Sequence, residues 1–571
     1  MRGKSLKVLV LLSMVLLALV AAGCGGDDEG EEAGAPATTQ EEAAAAGGTL
    51  VFAGASDPVV IDGALVSDGE SIRVITQVFE TLVFLKAGTT EPEPGLAESW
   101  EASPDGKEWT FQLKEGVSFH DGTPFNAAAV CANFDRWYNF SGPLQNPSAT
   151  YYWQVVFGGF AKTDPKSGAP AESLYSSCEA VDEATAKLTL TKPSATFIPA
   201  LAQQAFSIAS PDALKKYEAD KGTVDKDGIF QPTGTFGTEH PIGTGPFEFV
   251  SWKRNDRLTL KRYEDYWGEK AKIDELIIRP IADNAARLQA LQTGEIQGYD
   301  LVEPQDIETI EGDENLQVFD RPAFNVAYVG FNISLPPLDN QKVRQAVAHG
   351  LDRQAVVDNF YAGRAELATQ FMPPEVVGHS DGVTEYEYDP EKAKQILQDA
   401  GLTLPVKLDF WYPTDVSRPY MPDPKRNFEA FAASLNKSGF KVVPHSAPWS
   451  PDYLGRADEG KAGHLRLLGW TGDYGDADNF IGTFFQSPQK AWGTVKNPNK
   501  EVVDLLDQAE IETDEGKREK IYAQANEAIM EWLPGVPYAH SKPALAFLAN
   551  VKGYEPSPTT NESFATVSIE E

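Results

Sequence analysis

Residues 389–411 read DPEKAKQILQDAGLTLPVKLDFW, and this stretch sets the fold class. Asp389 is placed to cap a helix. Pro390 suits the first helical position, where the missing N–H has no intrahelical role and the fixed φ is already helical. Ala393, Ile396, Leu397 and Ala400 then recur at three- and four-residue spacing, one apolar stripe on one face. Gly401 ends the helix, as glycine often does at this position. Residues 406–411 follow as a buried strand. A helix that hands over to a buried strand within a few residues is a building unit of α/β architecture.

The same alternation extends outward. Downstream, 465–468 reads as another buried strand and 502–533 as two helices. Upstream, 341–360 reads as one long helix with Val343, Ala346, Val347 and Leu351 facing inward. Residues 287–293 read as a helix with Leu288 and Leu291 on one face, ended by Gly294. Toward the N-terminus, 48–53 is a short β-type run, and 71–85 predicts a helix with Ile72, Ile75, Val78, Phe79 and Leu82 on one side. Trp109, Phe111 and Leu113 alternate with Thr110 and Gln112 as a strand, and 188–190 reads as another. Between them His120-Asp121-Gly122-Thr123-Pro124 is a turn, with a helix starting near Asn126. Residues 217–240, rich in Gly and Thr, read as a loop elaboration. No internal repeat is present.

The 571 residues, 42% hydrophobic, can fill a sizeable core but exceed one ordinary domain, so two or three lobes are expected. An aromatic fraction of 11% argues against an acidic disordered chain. Lys and Arg number 49 against 84 Asp and Glu, a net charge of −35. Such a surface repels phosphate backbones, which sets nucleic-acid binding aside; the acidity reads as solubility. No GxxxxGK[ST] loop, GxSxG elbow or HExxH helix occurs, and the seven His are scattered without metal spacing. No metal or cofactor is expected. Paired carboxylates are too frequent in an acidic chain to mark a catalytic site.

The N-terminus reads as a targeting segment. Arg2, Lys4 and Lys7 are basic, and the apolar run through Val20 closes on Ala21-Ala22-Gly23-Cys24. This resembles a bacterial lipoprotein signal, which implies that 1–23 is removed and Cys24 becomes the lipidated N-terminus. Such signals usually carry Leu three residues before the cysteine, where this chain has Ala21. The alternative, an uncleaved anchor, is disfavoured because the run is shorter than the roughly 20 residues of a spanning helix. Residues 24–47, low in complexity, read as a flexible tether. Cys131 and Cys178 remain. Export makes a disulfide between them available, worth roughly 4 kcal/mol on loop entropy. The alternative is two separate buried thiols.

A set of phrases in order carries a wider resemblance. Leu96-Ala97-Glu98-Ser99-Trp100 precedes Trp109-Thr110-Phe111-Gln112-Leu113, then Gly116-Val117-Ser118-Phe119-His120-Asp121-Gly122-Thr123-Pro124-Phe125. Pro241-Ile242-Gly243-Thr244-Gly245-Pro246-Phe247 leads to Tyr263-Glu264-Asp265-Tyr266-Trp267-Gly268. Val343-Arg344-Gln345-Ala346-Val347 and Trp470-Thr471-Gly472-Asp473 follow. Together they resemble the dipeptide and oligopeptide branch, family 5, of the extracytoplasmic solute-binding proteins of ABC importers. The resemblance implies an α/β, two-lobed periplasmic-binding-protein-like fold of type II, or cluster C, with an extra domain inserted in the first lobe. It places lobe I at 48–85, 196–324 and 538–571, the insertion at 86–195 and lobe II at 325–537. The insertion should hold the His120 turn, read as structural, and both late cysteines.

The resemblance also implies a site. A free dipeptide is a zwitterion, so once water is excluded its ammonium needs a carboxylate and its carboxylate a guanidinium fork. In dipeptide-binding members the Asp of a WTGD phrase and the Arg of an SRPY phrase take these roles. Here they are Asp473 and Arg418, with Trp470, Tyr420 and Tyr474 as candidates to line side-chain pockets. The expected partners are a short peptide, the permease subunits of an importer, and the membrane through the lipid. The chain is expected to be a monomer and not an enzyme. Other solutes on the same fold stay open: a nickel complex, an opine or a sugar. An extracellular enzyme on this scaffold, or a surface protein with an empty cleft, also stays open.

Overall fold

Two large sheets organise the chain. The computed structural model describes residues 47–146, 149–224, 230–559 and 561–570. The expected signal peptide and Cys24 fall outside the described residues, as does all but the last residue of the tether.

The first sheet has seven strands among the described residues, in the order Phe247–Lys253, Arg257–Arg262, Glu275–Pro280, Thr49–Gly54, Gly298–Asp300, Ala544–Leu548, Leu316–Asp320. Thr49–Gly54 pairs in parallel with Glu275–Pro280 and Gly298–Asp300. The second has six, in the order Ala365–Leu367, Gly535–Ser541, Asn325–Phe331, Leu465–Thr471, Val406–Thr414, Phe440–Pro448. Its parallel half contains the stretch that set the fold class. Asp389 caps Pro390–Asp399 by accepting from the N–H groups of Glu391 and Lys392. Ala393 and Leu397 are fully buried, and Val406–Thr414 runs parallel to both of its neighbours. Each large sheet has its own hydrophobic core.

The chain crosses from the first sheet to the second over 321–324 and returns over 542–543. The crossings touch, since the Arg321 N–H donates to the Pro543 carbonyl at 2.9 Å.

A four-stranded antiparallel sheet, Ala97–Ala102, Glu108–Leu113, Thr185–Leu190 and Tyr175–Ala180, is inserted between segments of the first sheet. Its core is continuous with that of the first sheet. Asn126 caps Ala127–Tyr138 through the Ala129 N–H. A disulfide joins Cys131 of this helix to Cys178 of the edge strand, with the Cα atoms 5.1 Å apart. The His120 turn is structural: its Nε2 donates to the Gly245 carbonyl at 2.9 Å, and Asp121 accepts from the Ser210 hydroxyl at 2.8 Å.

Two expected helices end early. The helix expected over 71–85 stops at Val78, and Val83–Leu85 pairs as a strand with Pro92–Pro94. The Val78 carbonyl accepts from the Gly245 N–H, so it does not bond the next turn. Phe79 and Leu82 are buried nonetheless, and burial is what the apolar spacing had recorded. The helix expected over 341–360 divides into Gln341–Gly350 and Arg353–Phe360. Asp352 caps the second piece through the Ala355 N–H, and Gly350 abuts Leu435 and Ser438. Within 217–240 the structure has the strand pair Gly222–Val224 and Phe230–Pro232 and the helical turn Phe236–Glu239.

Candidate ligand-binding cavity

A cavity of about 2240 Å³ is lined from both sheets and from the insertion. Arg418, Tyr420, Trp470 and Asp473 all line it; Tyr474 does not. Tyr474 is 2% exposed and its hydroxyl donates to Asp478 at 3.0 Å. The reason is the turn after Trp470: Gly472 and Gly475 fit against Phe324 and Thr90 with no room for a Cβ, which leads Tyr474 into the packed interior.

Asp473 follows the strand Leu465–Thr471. Its Oδ1 accepts from the Tyr152 hydroxyl at 2.8 Å and its Oδ2 from Asn479 Nδ2 at 3.2 Å. The Asp473 N–H donates to Asn479 Oδ1 at 2.7 Å, which fixes the carboxylate's aim. Burial pushes its carboxyl up to about 6, against the lowering effect of those two donors.

Arg418 lies on the segment beyond Val406–Thr414. Its backbone exchanges two bonds with Met421, at 3.1 and 2.9 Å, a small bridge that holds the loop. The guanidinium stacks 4.2 Å from the Trp449 ring centroid, and its Nε is enclosed without a partner. Among the described residues neither Arg418 nor Asp473 forms an ion pair. Across the cavity Asp68 caps Gly69–Val78; burial pushes its carboxyl up, while the field of Arg418 opposes this.

The aromatic candidates have defined seats. Trp470 donates its Nε1 to Asn479 Oδ1 at 3.2 Å and meets Phe484 edge-on. The Tyr420 ring covers Gly469, where a Cβ would come within 2.2 Å of it. Only glycine permits that contact.

Several residues of the site escaped sequence reasoning. Tyr152, Asn479 and Trp449 position the charged pair, yet a Tyr beside another Tyr and a lone Asn carry no local signal. Arg73 and Asp300 also line the cavity, within a buried network that Arg321 and Glu562 complete. Burial raises the Asp300 carboxyl, but Arg321 and Arg73 hold it well below the usual range. These four residues are remote in sequence, so only the fold brings them together.

Residues 91–492 match the family described as bacterial extracellular solute-binding proteins, family 5 middle. The dipeptide-binding protein of Escherichia coli strain K12 is 34% identical over 534 residues, covering 91% of this chain and 95% of that protein. Heme-binding protein A of Haemophilus influenzae is 34% identical over 532 residues, 91% and 92% of the two chains. Among solved structures, the ABC transporter-associated periplasmic binding protein DppA from Helicobacter pylori in complex with peptide STSA is 30% identical, with a TM-score of 0.76. It covers 92% of this chain and 98% of that one. The fold is the α/β two-lobed one of periplasmic binding proteins, and the chain belongs to family 5 of the bacterial extracellular solute-binding proteins.

Proposed function

We propose that this chain captures short peptides outside the cell for an ABC importer, with Asp473 holding the peptide ammonium and Arg418 its carboxylate. One observation carries the reading: the two opposite charges line one cavity, and each lacks an ion-pair partner among the described residues. A ligand with matching ends supplies both counter-charges once water leaves. The stacking of Arg418 on Trp449 and the bond from Asn479 to Asp473 pre-organise the pair, which lowers the ordering cost of binding. Main-chain groups of the ligand would pair strand-like with the cavity wall, while Trp470 and Tyr420 bound the side-chain space. Relatives named for dipeptide binding, and a peptide-bound structural neighbour, agree with this class of ligand.

The division into lobe I (48–85, 196–324, 538–571), the insertion (86–195) and lobe II (325–537) belongs to the same reading. So do a binding rather than catalytic role, a monomeric state and delivery to permease subunits. The signal-like N-terminus supports anchoring through a lipid on Cys24. Calorimetry with dipeptides, their N-acetylated forms and their amides tests the clamp: blocking either end should abolish binding. Equal affinity for free and blocked peptides would defeat it. For the anchor, Cys24→Ser should lose the lipid and membrane partitioning; a variant retaining the lipid mass would refute it.

A further inference from the structure

A second cation faces the same cavity, away from the pair that would hold the peptide's ends. Over the first part of the strand Leu465–Thr471, Arg466 and Leu468 line the cavity while Leu465 and Leu467 are fully buried in the second-sheet core; from Leu468 to Thr471 every residue lines it. The first part shows the two-residue alternation of a strand. Arg466 sits about 13 Å along the strand from Trp470, at roughly 3.3 Å per residue.

Arg466 is 3% exposed. Its guanidinium lies on the backbone of its register partner Gly330, where a Cβ would come within 2.9 Å of Cζ. The Trp492 ring centroid is 4.6 Å away. Glycine and tryptophan thus form a slot that fixes a planar guanidinium. The slot leaves the charge poorly matched. Nη1 makes one long bond, 3.4 Å to the Phe331 carbonyl, and Nε is enclosed without a partner. No carboxylate forms an ion pair with Arg466 among the described residues. Asp458 lines the same cavity and its field reaches Arg466, as do those of Tyr328 and Tyr453, but it lies beyond ion-pair distance. Among other cavity cations, Lys490 is paired with Glu459 at 2.9 Å and Arg426 with Asp423 at 3.2 Å, while Arg287, also without an ion pair among the described residues, bonds the Ile281 and Ala282 carbonyls through Nη1 at 2.6 and 3.1 Å. An enclosed guanidinium without a counter-charge is costly to the free protein, and an anion seated on its open side would relieve that cost.

We infer that Arg466 is an anion subsite of this cavity and selects peptides that carry an acidic side chain. The inference rests on the peptide reading above. A two-residue backbone spans only about 7 Å, so the terminal carboxylate of a dipeptide held at Asp473 does not account for this position. A side-chain carboxylate, or that of a longer peptide, does.

The test uses protein stripped of bound ligand and calorimetry with free-ended tripeptides. Ala-Ala-Ala is substituted at each position in turn by Glu or by its neutral isostere Gln. At one position or more the Glu peptide should bind about tenfold tighter or better than its Gln twin, as expected for a charge-assisted bond. Arg466→Gln should erase that preference and leave the Gln peptides nearly unchanged. The wild-type Glu/Gln comparison needs no variant, so a poorly folded Arg466→Gln does not spoil the test. Equal affinities for all twins, with N-acetylation still blocking binding, would overturn the subsite and leave the peptide reading standing. A Glu preference that survives Arg466→Gln would also overturn it. Binding by none of the tripeptides would sink the peptide reading, and the inference with it.

Discussion

Asp473 illustrates how a single side chain joins burial to recognition. Its carboxyl is pushed up to about 6 in the unliganded cavity, yet an ammonium needs the ionised form. Peptide carboxylates titrate near 3.5 and peptide ammonium groups near 8, so the pH dependence of binding from about pH 4.5 to 7 reports this residue. Affinity should fall about tenfold per unit as pH drops below about 6 and level off between about 6 and 7, before the ligand ammonium itself deprotonates near 8. Asp473→Asn should remove the dependence and weaken binding by roughly 2–5 kcal/mol, because the ligand ammonium is then buried unpaired. Calorimetry across that range decides; a flat profile in the wild type would exclude the role. Glu80 carries the opposite kind of information. It is buried away from the cavity lining and accepts from Thr244, Tyr266 and Trp267 at 2.7, 2.7 and 2.8 Å. Burial nonetheless pushes its carboxyl up to about 7. For an acid whose folded pKa is raised, the native state holds the proton longer than the unfolded chain. Its contribution to stability is full below the unfolded value near 4.5 and is lost as pH rises to about 7. Denaturant unfolding should therefore show Glu80→Gln gaining on the wild type by about 1–3 kcal/mol across that window. A difference that does not move with pH would contradict this.

At the scale of elements, what was legible in the sequence followed local rules. The Asp389–Pro390 start and Gly401 stop are local chemistry, and the helix lies where they put it. The alternation of Trp109, Phe111 and Leu113 likewise marks a real strand. Apolar spacing misled where a distant backbone intervened, since nothing near Val78 announces the glycine that takes its carbonyl. Asp352, by contrast, was a cap in plain view inside the helix read across 341–360, outvoted by periodicity. The phrases with Thr244, Tyr266 and Trp267, which helped carry the family resemblance, surround Glu80 and not the ligand cavity. A family signature can thus record a buried structural carboxylate. Of the partners of Asp473 and Arg418, Tyr152 and Trp449 were illegible because they arrive from other segments, and Asn479, six residues past Asp473, because a lone Asn carries no local signal. The insertion carries a prediction of its own. The Cys131–Cys178 bridge ties helix to edge strand across 47 residues, so peptide mapping without reduction should recover the cross-linked pair. Reduction should cost up to roughly 4 kcal/mol in unfolding experiments. Two alkylatable thiols in oxidised protein would refute the bridge.

For the whole molecule, the contacts between halves bear on how a ligand could be enclosed. The sheets are joined by two adjacent crossings that hydrogen-bond to each other, a narrow connection of the kind that permits hinge closure. Beside the crossings Arg364 pairs with Glu311 and Asp320, and farther out the halves meet through few polar contacts. Tyr152 of the insertion donates to Asp473, Lys192 pairs with Glu510 at 2.7 Å, and the Ala195 N–H donates to the Glu510 carbonyl at 3.0 Å. The Lys192 side chain is half exposed, so its ion pair contributes at most about 1 kcal/mol. Contacts this weak do not hold the halves together unaided, whereas a peptide held by Arg418 and Asp473 on the second-sheet half and covered by Asp68, Arg73 and Tyr152 from the other adds interactions only the closed form can make. Solution scattering should therefore give a smaller radius of gyration with peptide than without. Tyr152→Phe should bind more weakly by about 1 kcal/mol or more, having lost one donor that acts only on closure. Its ligand-bound radius should match the wild type, because the peptide still drives closure. If saturating peptide leaves the scattering curve unchanged, the halves do not move and Tyr152 is a fixed wall of the cavity.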